Sequence, residues 1–262
     1  MAHSPRRGDR KVARRTAKRV SRNRSPSVVH RRDGRPSGRP YGAGPDLSAR
    51  VLYRDSQIIV IDKPAGLPVH AGPHAKDSIE SMLDALKFGL SQPPIPAHRL
   101  DHDTSGCLIL ARNDRARRKL GRLFSSGRIE KIYWAVVEGA PAAPEGHIDL
   151  PLRKVTSTAG WRMVADLAGQ AATTDYKVLG RGPHLAWLEL RPHTGRTHQI
   201  RVHCAALGCP ILNDPLYGAA VVAEPLQLFA RSLSIPFYEG RPPIQVTAPP
   251  PAHMQATLQS FV

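Results

Sequence analysis

A chain of 262 residues with 41% hydrophobic side chains carries enough apolar material for one sizeable core, and no apolar run reaches the roughly 18 residues of a membrane-crossing helix. Its 38 Lys+Arg against 21 Asp+Glu leave a formal charge of +17, the balance of a protein that meets polyanions. Three irregularly spaced cysteines (Cys107, Cys204 and Cys209) do not make a disulfide framework, and the N-terminus lacks the apolar stretch of a secretory signal, so a reducing cytoplasm is the expected setting.

The charge is uneven along the chain. Residues 1–50 hold 15 Lys+Arg against three acids, a net of +12. Residues 1–46 are too poor in apolar side chains to bury a core and read as a disordered basic tail, an electrostatic arm for nucleic acid. From residue 47 to 262 the texture is that of one globular domain. Ile58 to Ile61 is a buried-strand pattern, broken by Lys63-Pro64 and Gly66. Ser78 to about Lys87 reads as a helix with Ile79, Met82, Leu83 and Leu86 on one stripe. A proline-rich loop, Pro93 to Pro96, leads into His98, and Cys107 to Ala111 forms a second buried strand. Asn113 caps a predicted helix whose Ala116, Leu120, Leu123 and Phe124 line one face, with Ser125-Ser126-Gly127 as its stop. Strands follow at Ile132 to Val137, His147 to Leu152, Thr174 to Leu179 and Leu185 to Leu190. Thr197 is placed to cap a helix carrying Ile200, Cys204 and Leu207, ended by Gly208. Leu226 to Ile235 is a further strand, and the last twenty residues turn from proline-rich to weakly helical. Strands outnumber helices without alternating with them, which predicts an α+β fold on a mixed, mainly antiparallel central sheet with flanking helices.

Two stretches carry candidate chemistry. His98-Arg99-Leu100-Asp101-His102-Asp103-Thr104-Ser105-Gly106 joins a rigid loop to an apolar strand. In it Asp101 suits a nucleophile or general base, and Arg99 suits a phosphate contact or a wedge into a base stack. Leu190-Arg191-Pro192-His193-Thr194-Gly195-Arg196-Thr197-His198-Gln199-Ile200-Arg201-Val202-His203 offers Arg196 and Arg201 for a buried carboxylate or for phosphate, beside a helix start. A zinc site from His198, His203, Cys204 and Cys209 is disfavoured, because the two histidines are five residues apart and neither CxxC nor HExxH occurs. Phosphate-loop and dinucleotide fingerprints are absent, which leaves nucleotide-cofactor chemistry without support.

In order and spacing these stretches resemble the RluA-type pseudouridine synthases. His98-Arg-Leu-Asp101, two free positions and Thr104-Ser-Gly106 resemble the catalytic-loop motif of that family. Lys131-Ile-Tyr133-Trp-Ala135 resembles its tyrosine-bearing motif. Thr194 to His203, with Gly208-Cys-Pro210-Ile211 and Asp214-Pro-Leu-Tyr217-Gly218, resembles its third, and Asp62-Lys63-Pro64-Ala-Gly66-Leu its opening strand and loop. The likeness runs over about residues 50–251.

The resemblance implies a cleft across a long sheet and the isomerisation of uridine to pseudouridine in ribosomal or transfer RNA, without metal or cofactor, by a monomer. It implies Asp101 as the catalytic aspartate, Tyr133 as the aromatic beside the uracil and Arg201 as the cation that pairs with the aspartate. Arg99 falls on the arginine associated with flipping the target nucleotide. His98, Thr104 and Arg196 are carried as further substrate or RNA contacts. The rival class is a non-catalytic RNA-binding or ribosome-assembly factor on the same fold. Two departures stand out. Leu228-Phe229-Ala230 replaces a common Leu-His-Ala, and the small RNA-binding module often found ahead of the catalytic domain is not legible, so the basic tail is expected to supply that affinity.

Overall fold

Apolar runs separated by turn residues pair into one long sheet in the computed structural model, which describes residues 45–72, 77–158, 160–218 and 224–261. These residues all belong to the compact unit Pro40–Val262; the predicted tail, apart from residues 45 and 46, lies outside them.

β1 (Val51–Arg54) runs antiparallel to β2 (Ile58–Lys63), with Asp55 closing the turn by accepting the N–H groups of Gln57 and Ile58. The two-residue β3 (Ile95–Pro96) and the fully buried β4 (Ser105–Ala111) follow. Helix α1 (Asp114–Ser125) starts as predicted, with Asn113 Oδ1 accepting the Ala116 N–H at 2.8 Å. β5 (Glu130–Glu138), β6 (Glu145–Asp149), β7 (Leu152–Ser157) and β8 (Gly160–Ala165) come next. Then come β9 (Thr173–Arg181), β10 (Leu185–Pro192), helix α2 (Gln199–Ala206), β11 (Leu228–Ile235), β12 (Ile244–Thr247) and helix α3 (Ala252–Gln259). The main sheet has ten strands in the order β1-β2-β4-β11-β5-β10-β9-β6, with β12 on β11 and β3 on β4. All its pairs are antiparallel except β4 with β11. The α+β expectation therefore holds.

The parallel pair explains a glycine. Gly106 lies opposite Ala230 with φ +105°, and a Cβ there would stand 2.2 Å from the Ala230 carbonyl oxygen. Only glycine lets the two backbones meet where the 98–104 loop enters the centre of the sheet. One apolar cluster joins α1, α3, β2, β4 and β11, including Ile58, Ile109, Leu120 and Phe229. A second packs α2 on β5 and β10 through Ala135, Leu188, Leu190, Ile200 and Cys204. Phe229, the residue in place of the common histidine, is fully buried in the first cluster.

Three local expectations need correction, and one hairpin was not foreseen. The stretch 78–87 is a 3-10 helix over Glu80–Leu86, not an α-helix. Its buried Leu83 and Leu86 are three apart, a spacing that a three-residue turn eclipses on one side. The strand expected over His147 to Leu152 stops at Asp149, because Pro151 brings no N–H to a ladder. Beyond it β7 and β8 form a separate hairpin that the residue pattern did not announce. Thr197 does not cap α2. The capping position is His198 in the left-handed conformation (φ 53°), and Gln199 secures the turn instead. Its amide oxygen accepts from Thr194 Oγ1 and the Arg196 N–H, while Nε2 donates to Thr173 O and Thr174 Oγ1.

Candidate active site

The loop before β4 is pinned from below. Lys63, at the end of β2, is fully buried, and its Nζ donates to the carbonyls of Leu67, Pro64 and His102 at 2.7, 2.8 and 3.1 Å. Three acceptors match the three protons of an ammonium. Burial nevertheless pulls the group down to about 7, against the nearby Asp103, Asp101 and Asp62 carboxylates. The Gly66 N–H also donates to His102 O, so the Asp62–Leu67 turn and the 98–104 loop are sewn together. The Thr104 N–H donates to Asp101 O at 3.2 Å and closes a tight turn that projects the Asp101 side chain.

Asp101, Tyr133 and Arg201, brought from the loop, β5 and α2, line one cleft of about 140 Å³ that opens to solvent. His98, Arg99, Thr104 and Arg196 line it as well, so all seven residues singled out in the sequence converge. Their environments differ. His98 Nε2 accepts the Ile109 N–H at 3.0 Å and its ring leans on Phe124. Burial, helped by the Lys131 ammonium, drives it down to about 3 and keeps it neutral. His98 thus serves the loop's backbone with that nitrogen. Arg99 and Arg196 are exposed at the rim, and Arg196 Nε donates to Ala171 O at 3.0 Å. Thr104 is buried beneath the turn.

Arg201 meets Asp101 as expected but has a second and closer partner. Its bidentate partner is Asp214, with Nε to Oδ2 at 2.8 Å and Nη2 to Oδ1 at 2.7 Å. Asp101 Oδ2 stands 3.8 Å from Nη1 on the remaining edge of the guanidinium. Burial works against the Arg201 charge, but Asp214 and then Asp101 outweigh it and raise the group above its ordinary value. Asp214 has no exposed side-chain surface and also accepts the N–H groups of Leu216 and Tyr217. A fixed, charge-balanced guanidinium therefore presents one free edge to Asp101.

Other residues join the centre. His198 Nε2 is 4.0 Å from Asp101 Oδ2, and its Nδ1 is 2.9 Å from the Tyr217 hydroxyl. Burial lowers His198, Arg201 and Arg99 push the same way, and the Asp101 and Asp214 carboxylates oppose them. Trp161, on β8, stacks on the His198 ring at 5.2 Å. Lys131 donates to Thr194 O at 3.0 Å, and burial lowers it to about 8. Burial raises the Tyr133 phenol and Asp101 raises it further, so the ring stays neutral beside the carboxylate. Asp214 and Tyr217 sit in the quoted third motif, where their residue types gave no sign of a role. Trp161 lies in the hairpin that no pattern revealed. The earlier zinc candidates do not assemble, because His203 is spent on Thr174 Oγ1 and Leu150 O.

A carboxylate flanked by a fixed cation, an imidazole and a neutral phenol, in a cleft rimmed by arginines, suits chemistry on a phosphate-linked sugar and its base. Comparison with known proteins agrees. The family model described as RNA pseudouridylate synthase matches residues 57–206. An uncharacterized RNA pseudouridine synthase of Zymomonas mobilis is 46% identical over 211 residues, 79% of this chain and 96% of that one. Ribosomal large subunit pseudouridine synthase D of the same organism is 35% identical over 190 residues, 68% of this chain and 59% of that one. The solved structure of human RNA Pseudouridylate Synthase Domain Containing 4 superposes with a TM-score of 0.70 at 28% identity, covering 82% of this chain and 94% of that one. Sequence, fold and the family match over the motif-bearing core lead to one assignment: the chain belongs to the RNA pseudouridine synthases, isomerases that act on uridine in RNA.

Proposed function

We propose that this enzyme converts uridines of ribosomal or transfer RNA to pseudouridine with Asp101 as the catalytic carboxylate, Arg201 as its electrostatic partner and Tyr133 as the platform beneath the uracil. The observation that carries the reading is the placement of Asp101 Oδ2 3.8 Å from the free edge of a guanidinium that Asp214 holds rigid. That edge sets an opposite charge beside the carboxylate, which offsets desolvation when RNA closes over the cleft. The reaction breaks the N-glycosidic bond, turns the uracil and rejoins it through carbon, with no net gain or loss of atoms. Asp101 serves either as nucleophile to the sugar or as acceptor of a sugar proton, and both roles need the same charged oxygen. The neutral Tyr133 ring lets the freed base turn while keeping it in place.

The target nucleotide leaves its stack to enter, at a cost of a few kcal/mol that is smallest in loops. Arg99 fills the space behind it, while Arg196 and Lys131 meet the backbone phosphates. Ribosomal RNA is the first substrate to test, in keeping with the name of the relative from Zymomonas mobilis. A cytoplasmic setting fits the three cysteines, all free and buried.

The purified full chain is incubated with unmodified RNA transcripts, and the products are read by nucleoside mass spectrometry. Pseudouridine is expected at unchanged RNA mass, whereas loss of uracil would mean a glycosidase. Asp101→Asn should abolish product and still retain RNA on a filter. Wild-type turnover in that variant overturns the assignment of Asp101.

A further inference from the structure

A second cluster lies on the other face of the sheet. Tyr133 is registered with Leu190, and Leu190 with Tyr176, which places these three on the cleft face. Asp175, the neighbour of Tyr176 on β9, therefore points to the opposite face. It is registered with His147 on the edge strand β6, and with Arg191 on β10. His193 follows Arg191 by two and shares that side, tied to β9 by its N–H to Thr173 O at 3.0 Å. His147 Nδ1 meets Asp175 Oδ1 at 2.6 Å, and His193 Nε2 meets Oδ2 at 2.6 Å. The three donor atoms all lie within 4.8 Å of one another. Arg191, directly opposite Asp175, turns instead to Glu189 on its own strand at 2.7 and 2.9 Å. The carboxylate is thus left to the two imidazoles.

We infer that His147, Asp175 and His193 form a binding site for a first-row transition cation of the Zn²⁺ type, straddling β6, β9 and the bend that follows β10. Two imidazoles and one carboxylate with no thiolate suit Zn²⁺, Ni²⁺ or Cu²⁺, whereas Mg²⁺ and Ca²⁺ prefer all-oxygen sets. The ladder fixes the backbones of β6 and β9, and the half-exposed side chains need only rotate to exchange hydrogen-bond contacts for metal–ligand distances of about 2.0–2.2 Å. The fourth position opens to solvent. The ion takes no part in the isomerisation, since it lies on the face away from Tyr133. It acts as a strap: His193 precedes Thr194, whose carbonyl holds Lys131 and whose hydroxyl holds Gln199, so the cation ties the sheet edge to the cleft wall.

The full chain, stripped with a chelator, is titrated with Zn²⁺ by calorimetry and followed by thermal unfolding, and Co²⁺ is used in parallel for its visible absorption. One equivalent should bind, raise the unfolding temperature and give a tetrahedral or five-coordinate Co²⁺ spectrum. His147→Ala and His193→Ala should each weaken Zn²⁺ binding by at least tenfold and cancel the thermal shift, while His203→Gln and Cys209→Ser bind as wild type does. Absence of one-site binding, or equal binding by the His147→Ala and His193→Ala chains, overturns the proposal. RNA isomerisation is measured separately, so a failed metal site leaves the assignment of the cleft untouched.

Discussion

Asp214 matters more to the centre than its place in the sequence suggests. It is fully buried, takes both arms of the Arg201 fork and caps two backbone N–H groups. Asp214→Ala leaves a guanidinium buried with the distant edge contact to Asp101 and the Tyr217 ring, 5.1 Å away. Removing one partner of a buried pair costs about 3–5 kcal/mol. Chemical denaturation should show a loss of that order, and the folded fraction should lose turnover because Arg201 is free to swing onto Asp101 and cover the carboxylate oxygen proposed to act on the sugar. Asp214→Asn keeps the backbone caps and should fall between the two. Wild-type stability in Asp214→Ala would show that Arg201 does not depend on this partner. Lys63 illustrates the same logic in the backbone: a buried amine with three carbonyl acceptors ties the Asp62–Leu67 turn to the 98–104 loop.

At the scale of elements, the β7–β8 hairpin is the part of the fold that reaches over the site. Met163 donates its N–H to the Tyr217 hydroxyl at 3.1 Å, and Leu152 and Met163 pack with Val202 of α2. Trp161 is 44% exposed, one face on His198 and with Lys154 Nζ 4.7 Å from its ring centroid. With His198 on one face and Lys154 over the other, an unpaired base stacks on this indole by displacing the lysine. Trp161→Ala should weaken binding of single-stranded substrate by about 1–3 kcal/mol in a filter or fluorescence assay, with Trp161→Phe recovering most of it. Unchanged affinity in the alanine variant would confine Trp161 to holding His198. This hairpin was not legible beforehand for a physical reason. Leu152 to Ala165 alternates weakly, carries Arg153, Lys154 and Arg162, and buries little, so period-two patterning has almost nothing to act on. The central strands were legible because Ile58 to Ile61 and Cys107 to Ala111 are buried on both faces. Asp101 and Arg201 stood out as motif members, but their spacing did not tell that Arg201 would take Asp214 as its close partner. That choice depends on a turn closed thirteen residues downstream, where Asp214 first meets the helix.

At the scale of the whole molecule, charge is divided between two parts with different work. Residues 51–262 hold a net of only +5, enough to rim a cleft but modest for gripping RNA, while residues 1–50 hold +12. The expected electrostatic arm would add attraction that any stretch of phosphate satisfies, apart from the few arginines that rim the cleft. These contributions separate by salt. Each phosphate neutralised on single-stranded RNA adds about 0.7 to the slope of log K against log salt. Deleting residues 1–40 should therefore weaken RNA binding most at low salt and flatten the slope by several units, while leaving turnover at saturating RNA close to that of the full chain. Filter binding at four or five salt concentrations, with the intact and shortened chains side by side, measures both quantities. Identical slopes would mean that the folded cleft alone meets the phosphates, and that the basic segment contributes nothing to capture.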